Sequence, residues 1–155
     1  MALPDPSAGL HNEQQIMQAL QQLLLQEQAT LVEASIDGLV ALMQTKGALV
    51  SDLGRHARQR HAALGAHGFS ADETGMRDWI TSAPSKEAES IWNALLEMTK
   101  EARELNRING MLIARHLSRN QSELNVLQGK PNNSNFYGRD GQSTGKGVGR
   151  GLAIG

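Results

Sequence analysis

The 155-residue sequence contains no cysteine, only 3% aromatic residues and no long apolar run. The absence of cysteine excludes disulfide frameworks, thiol nucleophiles and thiolate metal sites. The few aromatic side chains argue against a thick core, whereas the many Leu, Ile, Val, Met and Ala residues are sufficient to cover the contact faces of helices. No stretch approaches the ~18 apolar residues of a membrane span. We therefore expect no direct insertion into a membrane.

Positive charge is missing from the first part of the chain. Residues 1–45 contain no Lys or Arg and five acidic residues, although the net charge of the whole chain is only −1. A secretory signal needs a positive segment before its apolar run, and this N-terminus has none. A nearly neutral chain is also not the polycation that DNA binding requires. These features predict a soluble cytoplasmic protein with no nucleic-acid partner.

Apolar residues recur at helical spacing over residues 12–64 and again over residues 85–128. Steps of three, four and seven residues place them on one face of each helix. Gly38 interrupts the first run, because glycine inside a helix costs about 1 kcal/mol relative to alanine. We therefore expect a kink or short break near 34–38, with Asp37 able to cap the second half. No strand is predicted.

The connection between the two helical runs contains several helix-ending and helix-starting residues. Gly65 and Gly68 are typical of positions just beyond a helix. The segment Ser70-Ala-Asp-Glu73 has the spacing of a capping box, which predicts a short helix after it. Pro84 closes this helix, and Ser85 can cap the next one.

Both ends of the chain are predicted to be flexible. Residues 1–11 are rich in proline and glycine and form a flexible leader. Residues 129–155 hold eight of the sixteen glycines and cannot bury enough apolar surface to offset their chain entropy. The predicted organisation is a leader at 1–11, a helical bundle domain at 12–128 and a disordered tail at 129–155.

Two long amphipathic helices and a short connecting helix must bury their apolar faces on each other. We predict an all-α fold: an elongated antiparallel helical hairpin or three-helix bundle with a flexible Gly-rich C-terminal tail. A dimeric coiled coil is the alternative. Glu27, Lys46 and Arg119 break the heptad register, which favours the bundle.

Catalytic and ligand-binding motifs are missing. The Gly-rich segment 145–151 matches neither the dinucleotide-binding nor the P-loop spacing. The five histidines never occur as an i, i+4 pair, and we predict no metal site and no cofactor. No nucleophile elbow accompanies a Gly-rich oxyanion loop. The sequence therefore predicts a protein that is not an enzyme.

The most basic stretch runs from Arg55 to His61. Its cations could meet phosphates, but no aromatic residue is interleaved to stack on bases. The favoured interpretation is a solvated face near the C-terminal end of a helix, where cations suit the helix dipole. Nucleic-acid binding is a third hypothesis that rests on this run alone.

Polar residues interrupt the second helical run beside its apolar face. Spaced by three or four positions, the members of this stripe are Asn106, Asn109, Ile113, His116 and Asn120. One interpretation is that asparagines at a buried edge fix the register of the helix. The other is a groove that accepts the helix of a partner.

A set of motifs follows in order along residues 12–142. These motifs are Ser35-Ile-Asp-Gly-Leu-Val-Ala-Leu42, Ile91-Trp92-Asn-Ala-Leu95, Asn106-Arg-Ile-Asn-Gly-Met-Leu-Ile113, Asn120-Gln121 and Tyr137-Gly-Arg-Asp-Gly-Gln142. Their ordered combination resembles the FlgN family of flagellar type III export chaperones. The resemblance implies a small cytoplasmic protein without catalysis. Such a protein binds unpolymerised hook–filament junction proteins, prevents their premature assembly and delivers them to the flagellar export gate.

The resemblance also implies where partners bind. The cargo contacts of the family lie in the C-terminal part, which corresponds to about 106–142 here, and a tyrosine there is associated with docking on the cytoplasmic domain of the export gate. The implied partner-binding residues are Asn106, Asn109, Ile113, Asn120, Leu124, Leu127 and Tyr137. We expect Leu124 and Leu127 to belong to the cargo surface rather than to a closed core, and Tyr137 to match the docking tyrosine. A structural coiled-coil adaptor without a secretion role is the alternative function.

Overall fold

A computed structural model describes residues 2–82 and 85–129. Its α-helices are α1 (Leu10–Val32), α2 (Leu39–Ala66), α3 (Glu73–Thr81) and α4 (Lys86–Leu127), and a short 3₁₀ turn at Ile36–Gly38 precedes α2. The described ranges contain no strand, which confirms the predicted all-α fold. Pro84 and the Gly-rich tail from residue 130 onward lie outside the described residues.

Ion pairs show how α1 and α2 run. The described residues up to Ala114 form one compact unit. Within it, Glu13 near the start of α1 pairs with Arg60 near the end of α2. Glu27 near the end of α1 pairs with Lys46 near the start of α2. The two helices are therefore antiparallel.

Hydrogen bonds between α1 and α4 show the direction of the third long helix. The amide nitrogen of Gln21 donates to the carbonyl oxygen of Met98 at 3.2 Å. Further along both helices, the amide nitrogen of Asn109 donates to the carbonyl oxygen of Leu24 at 2.9 Å. α4 thus runs parallel to α1 and antiparallel to α2. The first unit is thus a bundle of α1, α2 and the part of α4 up to Ala114. The prediction counted residues 12–64 as one long run with a kink or short break, whereas the chain reverses direction there.

The helices of this unit bury one apolar cluster. Its members are Leu10, Met17, Leu20, Leu24, Leu64, Met76, Trp79, Ile80, Ala88, Trp92, Leu95 and Ala102. Within α1 and α4 they recur at steps of three, four and seven residues, which is the spacing of a single helix face. The short helix α3 contributes three large side chains to this cluster, so it is part of the core and not only a connection.

α1 ends in a Schellman motif. The N–H of Ser35 donates to the carbonyl oxygen of Thr30 at 3.0 Å, and the N–H of Ala34 to that of Leu31 at 3.2 Å. The motif holds Ala34 at φ 57°, a left-handed conformation that glycine usually adopts. The bonds satisfy carbonyl groups that a helix end would otherwise leave unpaired.

The break predicted near 34–38 is confirmed, but Asp37 does not cap α2. The N-cap residue is Gly38, and no side-chain hydrogen bond caps this helix. Asp37 lies inside the 3₁₀ turn, one position too early for its carboxylate to reach the first free N–H groups of α2.

α2 ends in the same motif as α1. The N–H of Phe69 donates to the carbonyl oxygen of Leu64, and that of Gly68 to Gly65, both at 3.0 Å. Gly68 has φ 82°, the conformation that favours glycine. The predicted stop is therefore confirmed at Gly68, whereas Gly65 lies inside α2.

The start of α3 corrects the predicted capping box. The N-cap is Asp72, which accepts a hydrogen bond from the N–H of Gly75 at 2.8 Å, and not Ser70. A Cβ added to Gly75 would lie only 1.8 Å from the carbonyl oxygen of Ser70, so the chain passes this turn too closely for a larger residue. The cap at Asp72 also leaves the carboxylate of Glu73 free to bind side chains of α2.

The other helix boundaries lie close to the predicted ones. The N–H of Ala88 donates to the hydroxyl of Ser85 at 3.0 Å, so Ser85 caps α4 as expected. α1 begins at Leu10, and both Leu10 and Pro6 are fully buried. The flexibility of residues 1–11 stays a prediction. None of the helices in the described ranges has the length and apolar character that crossing a membrane requires.

Candidate functional site

Four polar side chains from α1, α2 and α4 meet in what we call the Lys46 cluster: the buried Glu27 and Asn109, the partly exposed Lys46 and the exposed Asn106. Glu27 and Asn109 are 1% and 0% exposed. The Nζ of Lys46 lies 3.3 Å from Oε1 of Glu27 and donates to Oδ1 of Asn106 at 2.6 Å. The Nδ2 of Asn109 donates to Oε1 of Glu27 at 2.9 Å. Two of the predicted partner-binding asparagines therefore bind within the bundle, where they fix the register of α4.

Asn109 has one unsatisfied atom. Its Oδ1 is buried and has no hydrogen-bond partner among the described residues. Rotating the amide would turn this oxygen towards the Leu24 carbonyl and the Glu27 carboxylate, which are both acceptors, so the orientation is fixed. A buried acceptor without a partner costs about 1–3 kcal/mol. Among the described residues, this oxygen is therefore the buried atom of the Lys46 cluster that lacks a protein partner.

A second group, which we call the Arg60 cluster, comprises Glu13, Arg60, His61, Glu73 and Trp92. The Nε and Nη2 of Arg60 donate to the two oxygens of Glu13, each at 3.1 Å, and its Nη1 donates to Glu73 at 2.9 Å. His61 Nε2 lies 3.0 Å from the same Glu73 oxygen. The guanidinium carbon lies 4.8 Å from the centre of the Trp92 ring. Arg60 and Glu13 therefore form a bidentate ion pair, and the guanidinium also makes a cation–π contact with Trp92.

The electrostatics of the Arg60 cluster keep Arg60 and Glu73 charged. Burial alone would raise the pKa of Glu73, but hydrogen bonds and charge attraction from Arg60 and His61 hold this pKa below its ordinary value. Burial alone would lower the pKa of Arg60, whereas Glu13 and Glu73 raise it. The Glu73 carboxylate is thus bound as an anion and joins α3 to α2.

A cleft of about 880 Å³ opens beside the Arg60 cluster. Its apolar wall includes Leu53, Ile80 and Leu96, and Arg77 and Lys100 also line it. Glu13 and Glu73 also line the cleft, and both are bound to Arg60.

The basic run from Arg55 to His61 does not form one solvated face. Arg60 is 7% exposed and bound to Glu13, so the solvated interpretation is wrong for this residue. Arg55 is exposed and lies 3.6 Å from Asp52 on the same helix. The basic patch is therefore divided between the interior and the surface, which weakens the hypothesis that it binds phosphates.

The described residues from Arg115 to Gly129 belong to a second compact unit and include the last turns of α4. Leu117, Leu124 and Leu127 are 65%, 49% and 83% exposed. Their steps of seven and three residues put them on one helix face, and the exposed Asn120 lies between them on the same face. We call these four residues the C-terminal face. It presents leucine side chains to water.

Two of the predicted site residues remain. Ile113 is partly buried in the first unit, and Tyr137 lies outside the described residues. Leu117 was missed by sequence reasoning, although its seven-residue step to Leu124 is a signal that could have identified it. Within the described residues, no group of three or more His, Asp or Glu side chains could hold a metal ion.

Comparisons with known proteins agree on one family. A family model described as "FlgN protein" matches residues 1–145. A Proteus mirabilis protein named "Flagella synthesis protein FlgN" is 40% identical over 53 residues, which are 34% of this chain and 36% of that protein. Proteins of the same name from Salmonella typhimurium and Salmonella typhi are each 29% identical over 132 residues, 83% of either partner in the alignment. No solved structure matches the chain.

Proposed function

This chain belongs to the FlgN family, and we propose on this basis that it acts in flagellar assembly as a cytoplasmic export chaperone. It binds unpolymerised hook–filament junction proteins, prevents their premature assembly and delivers them to the cytoplasmic domain of the flagellar export gate. It acts by binding alone, without a catalytic step, metal or cofactor.

The observation that carries the proposal is the C-terminal face. Three leucines of this face, Leu117, Leu124 and Leu127, are exposed. Their spacing is the one at which apolar residues of one helix pack against another helix. Covering a leucine side chain contributes about 1.5–3 kcal/mol, so a partner helix on this face gains several such contributions. Clustered exposed apolar residues mark interaction sites more often than isolated ones do.

The polar residues of the predicted site have different tasks. Asn106 and Asn109 hold α4 in the bundle through the Lys46 cluster. Asn120 is exposed among leucines and supplies the one polar contact that fixes the register of a cargo helix, as a single asparagine does in coiled coils. Ile113 is partly buried in the first unit, and its assignment to partner binding rests on the family resemblance.

Reversible binding follows from the state of the cargo. A junction-protein segment that is disordered before assembly folds as an amphipathic helix when it docks. Ordering such a segment costs about 2–5 kcal/mol of the interaction energy. The affinity is therefore moderate, and the cargo is released by competition or unfolding at the export gate.

The test replaces Leu124 and Leu127 together with alanine. We expect the affinity for a purified junction protein, measured by calorimetry, to fall at least about tenfold, because two apolar contacts are lost. The melting temperature should change little, since both side chains are about half or more exposed. A matched control replaces Leu25 and Val32 of α1, which are 52% and 70% exposed, and should bind as wild type.

Three results would contradict this proposal. Early melting of the double variant would show that the two leucines are core residues. Equal loss of binding in the control would show that any exposed apolar residue contributes. Failure of the wild-type chain to capture any junction protein would favour the structural adaptor.

Tyr137 has a separate role in the proposal. It contacts the cytoplasmic domain of the export gate after cargo has bound. An aromatic ring suits this contact because it offers a large contact area and has few rotatable bonds to immobilise. Tyr137→Ala should leave the cargo affinity unchanged and weaken binding of the chaperone–cargo complex to the gate domain. Equal gate binding in calorimetry would remove Tyr137 from the mechanism, and loss of cargo binding would assign it to the cargo surface.

A further inference from the structure

Helix α2 carries an exposed apolar face that the proposed function does not use. Val40, Met43 and Val50 are 62%, 58% and 52% exposed. Small residues continue the same face at steps of three and four, which is the spacing of a helix-packing face. The full set, which we call the α2 face, is Val40, Met43, Gly47, Val50, Gly54 and Ala57.

Gly47 lies in the middle of this face without a local reason. A Cβ added there would meet no atom within 4 Å, and its φ is not in the left-handed region. Glycine inside a helix is destabilising by roughly 0.5–1 kcal/mol relative to alanine. Neither the turn geometry nor the packing of the described residues requires glycine here, whereas close approach of another helix would use it.

We propose that a second copy of this chain docks on the α2 face, antiparallel, about a two-fold axis that passes between Ala48 and Leu49. A two-fold interface must be complementary to itself. This axis places each large residue opposite a small one of the copy: Val40 opposite Ala57, Met43 opposite Gly54, and Val50 opposite Gly47. A parallel pair would instead place Met43 against Met43 and Gly47 against Gly47, which leaves a clash and a gap.

The charges beside the face fit the same register. The α2 face itself carries no charged residue. Asp37 precedes Val40 by about one turn, and Arg58 follows Ala57 directly, and both are exposed. Because Val40 lies opposite Ala57 of the copy, Asp37 comes within reach of the Arg58 side chain of the copy, and the symmetry creates this pair twice.

The side chain of Arg58 covers part of the α2 face in the single chain. One guanidinium nitrogen of Arg58 lies 3.4 Å from the position that a Cβ on Gly54 would occupy. This is the far end of a flexible side chain. In the pair it turns towards Asp37 of the copy and leaves Gly54 free to receive Met43.

The contact is small, so the dimer is weak. The α2 face spans about 27 Å of helix at 1.5 Å per residue, which is the size of a transient interface. We expect a dissociation constant on the order of 10–100 µM. The full-length chain should therefore change from monomer to dimer over the concentration range that sedimentation equilibrium covers.

The main test is Gly47→Leu in the full-length chain. The new side chain has open space around it in the monomer, so folding is kept, but it collides with Val50 of the copy. We expect this variant to sediment as a monomer at every concentration. Gly65→Leu is the matched control: Gly65 is also exposed on α2 with nothing within 4 Å, but it lies beyond the face, and this variant should dimerise as wild type does.

Charge reversal tests the register. Asp37→Arg and Arg58→Asp should each weaken the dimer about fivefold or more, since each replaces two ion pairs with two like-charge contacts. The double variant restores opposite charges and should recover dimerisation. A partner that is not a second copy would show no such recovery.

Cross-linking tests the direction of the helices, because the chain has no cysteine of its own. Val50→Cys lies close to the proposed axis and should cross-link to itself with a short bifunctional thiol reagent. Val40→Cys should not, because the two copies of this position are about 25 Å apart. Efficient cross-linking through Val40→Cys would show a parallel pair and overturn the proposal.

Other outcomes also overturn it. One is a wild-type chain that stays monomeric at the highest concentration, and another is a Gly47→Leu variant that dimerises normally. A monomeric wild type whose Gly47→Leu variant loses binding to a junction protein would assign the α2 face to cargo. The proposal does not depend on the export role: the Leu124 and Leu127 variant tests cargo binding, and sedimentation without cargo tests the dimer.

Discussion

The Arg60 and Lys46 clusters both join α1 to α2 through a buried carboxylate, but a different kind of cation binds the carboxylate in each. Both oxygens of Glu13 receive hydrogen bonds from one planar guanidinium at 3.1 Å. Glu27 instead receives an ammonium group at 3.3 Å from Lys46, whose side chain is 25% exposed. A rigid fork fixes geometry more strictly than a mobile point charge. The packing of α1 on α2 is thus fixed more strictly at the end near α3 than at the end near the α1–α2 turn.

The largest effect is expected from Arg60→Met. The substitution keeps a long apolar side chain but leaves the carboxylate of Glu13 buried without its partner, which costs about 3–5 kcal/mol. Urea denaturation followed by circular dichroism measures this loss. Arg55→Met is the control: that side chain is 55% exposed, and its removal should change stability by no more than about 0.5 kcal/mol. A small loss for Arg60→Met would mean that this end of the bundle is not locked by the ion pair.

Lys46→Met should have a smaller effect, about 1–3 kcal/mol, because Asn109 still binds Glu27 and water can reach the partly exposed position. The same denaturation experiment measures it, with Lys100→Met as the exposed control. A loss as large as that of Arg60→Met would remove the difference between the two clusters. Adding Glu27→Gln to Lys46→Met should recover part of the stability.

Asn109→Leu sharpens the comparison further. The substitution removes two hydrogen bonds of Nδ2, one to the carbonyl oxygen of Leu24 and one to Glu27. It also removes the unsatisfied Oδ1, which offsets most of that loss. We expect the free energy of unfolding to change by no more than about 1 kcal/mol, again from urea midpoints. A loss above about 2 kcal/mol would show that Oδ1 has a partner such as an ordered water, and that the Lys46 cluster is complete in solution.

The smallest effect concerns the pH dependence of Glu73. Its pKa in the folded chain lies below the ordinary value of 4.5, so its stabilisation is present above that pH and is lost as the pH falls through the lower, folded value. The side chain is 57% exposed, which limits the contribution to less than about 1 kcal/mol. Glu73→Gln should therefore be less stable than wild type at neutral pH and equally stable in acid. A difference that persists in acid would point to a cause other than charge.

The sequence predicted the helices because their apolar spacing is local information. The break before α2, the stop at Gly68 and the cap at Ser85 were all correctly placed, since each depends on a few adjacent residues. The cap of α3 was misplaced because Ser70 and Asp72 both suit an N-cap, and only the close passage of the chain at Gly75 decides between them. The reversal of the chain between α1 and α2 was not predicted, because it depends on long-range contacts such as Glu13 with Arg60.

The pairing of the buried charged residues could not be predicted from the sequence. Glu27 and Lys46 were recognised as interruptions of the heptad pattern, but spacing does not reveal that they bind each other. Arg60 was interpreted as part of a solvated run, although it lies seven residues after Leu53 and four before Leu64, on the core-facing side of α2. A charged residue at a core position indicates a buried partner on another helix, and only the fold identifies that partner as Glu13.

The locations of the ion pairs have a consequence for the order of folding. The pairs Glu13–Arg60 and Glu27–Lys46 both form within the α1–α2 hairpin, whereas the contacts of α4 with α1 join residues up to 85 positions apart. Closing the longer loop costs more chain entropy, and contacts between distant residues form slowly. We therefore expect α1 and α2 to pair first during folding and to form both ion pairs before α4 binds. α4 then docks on an electrically neutral surface, to which it contributes an indole ring and two amides.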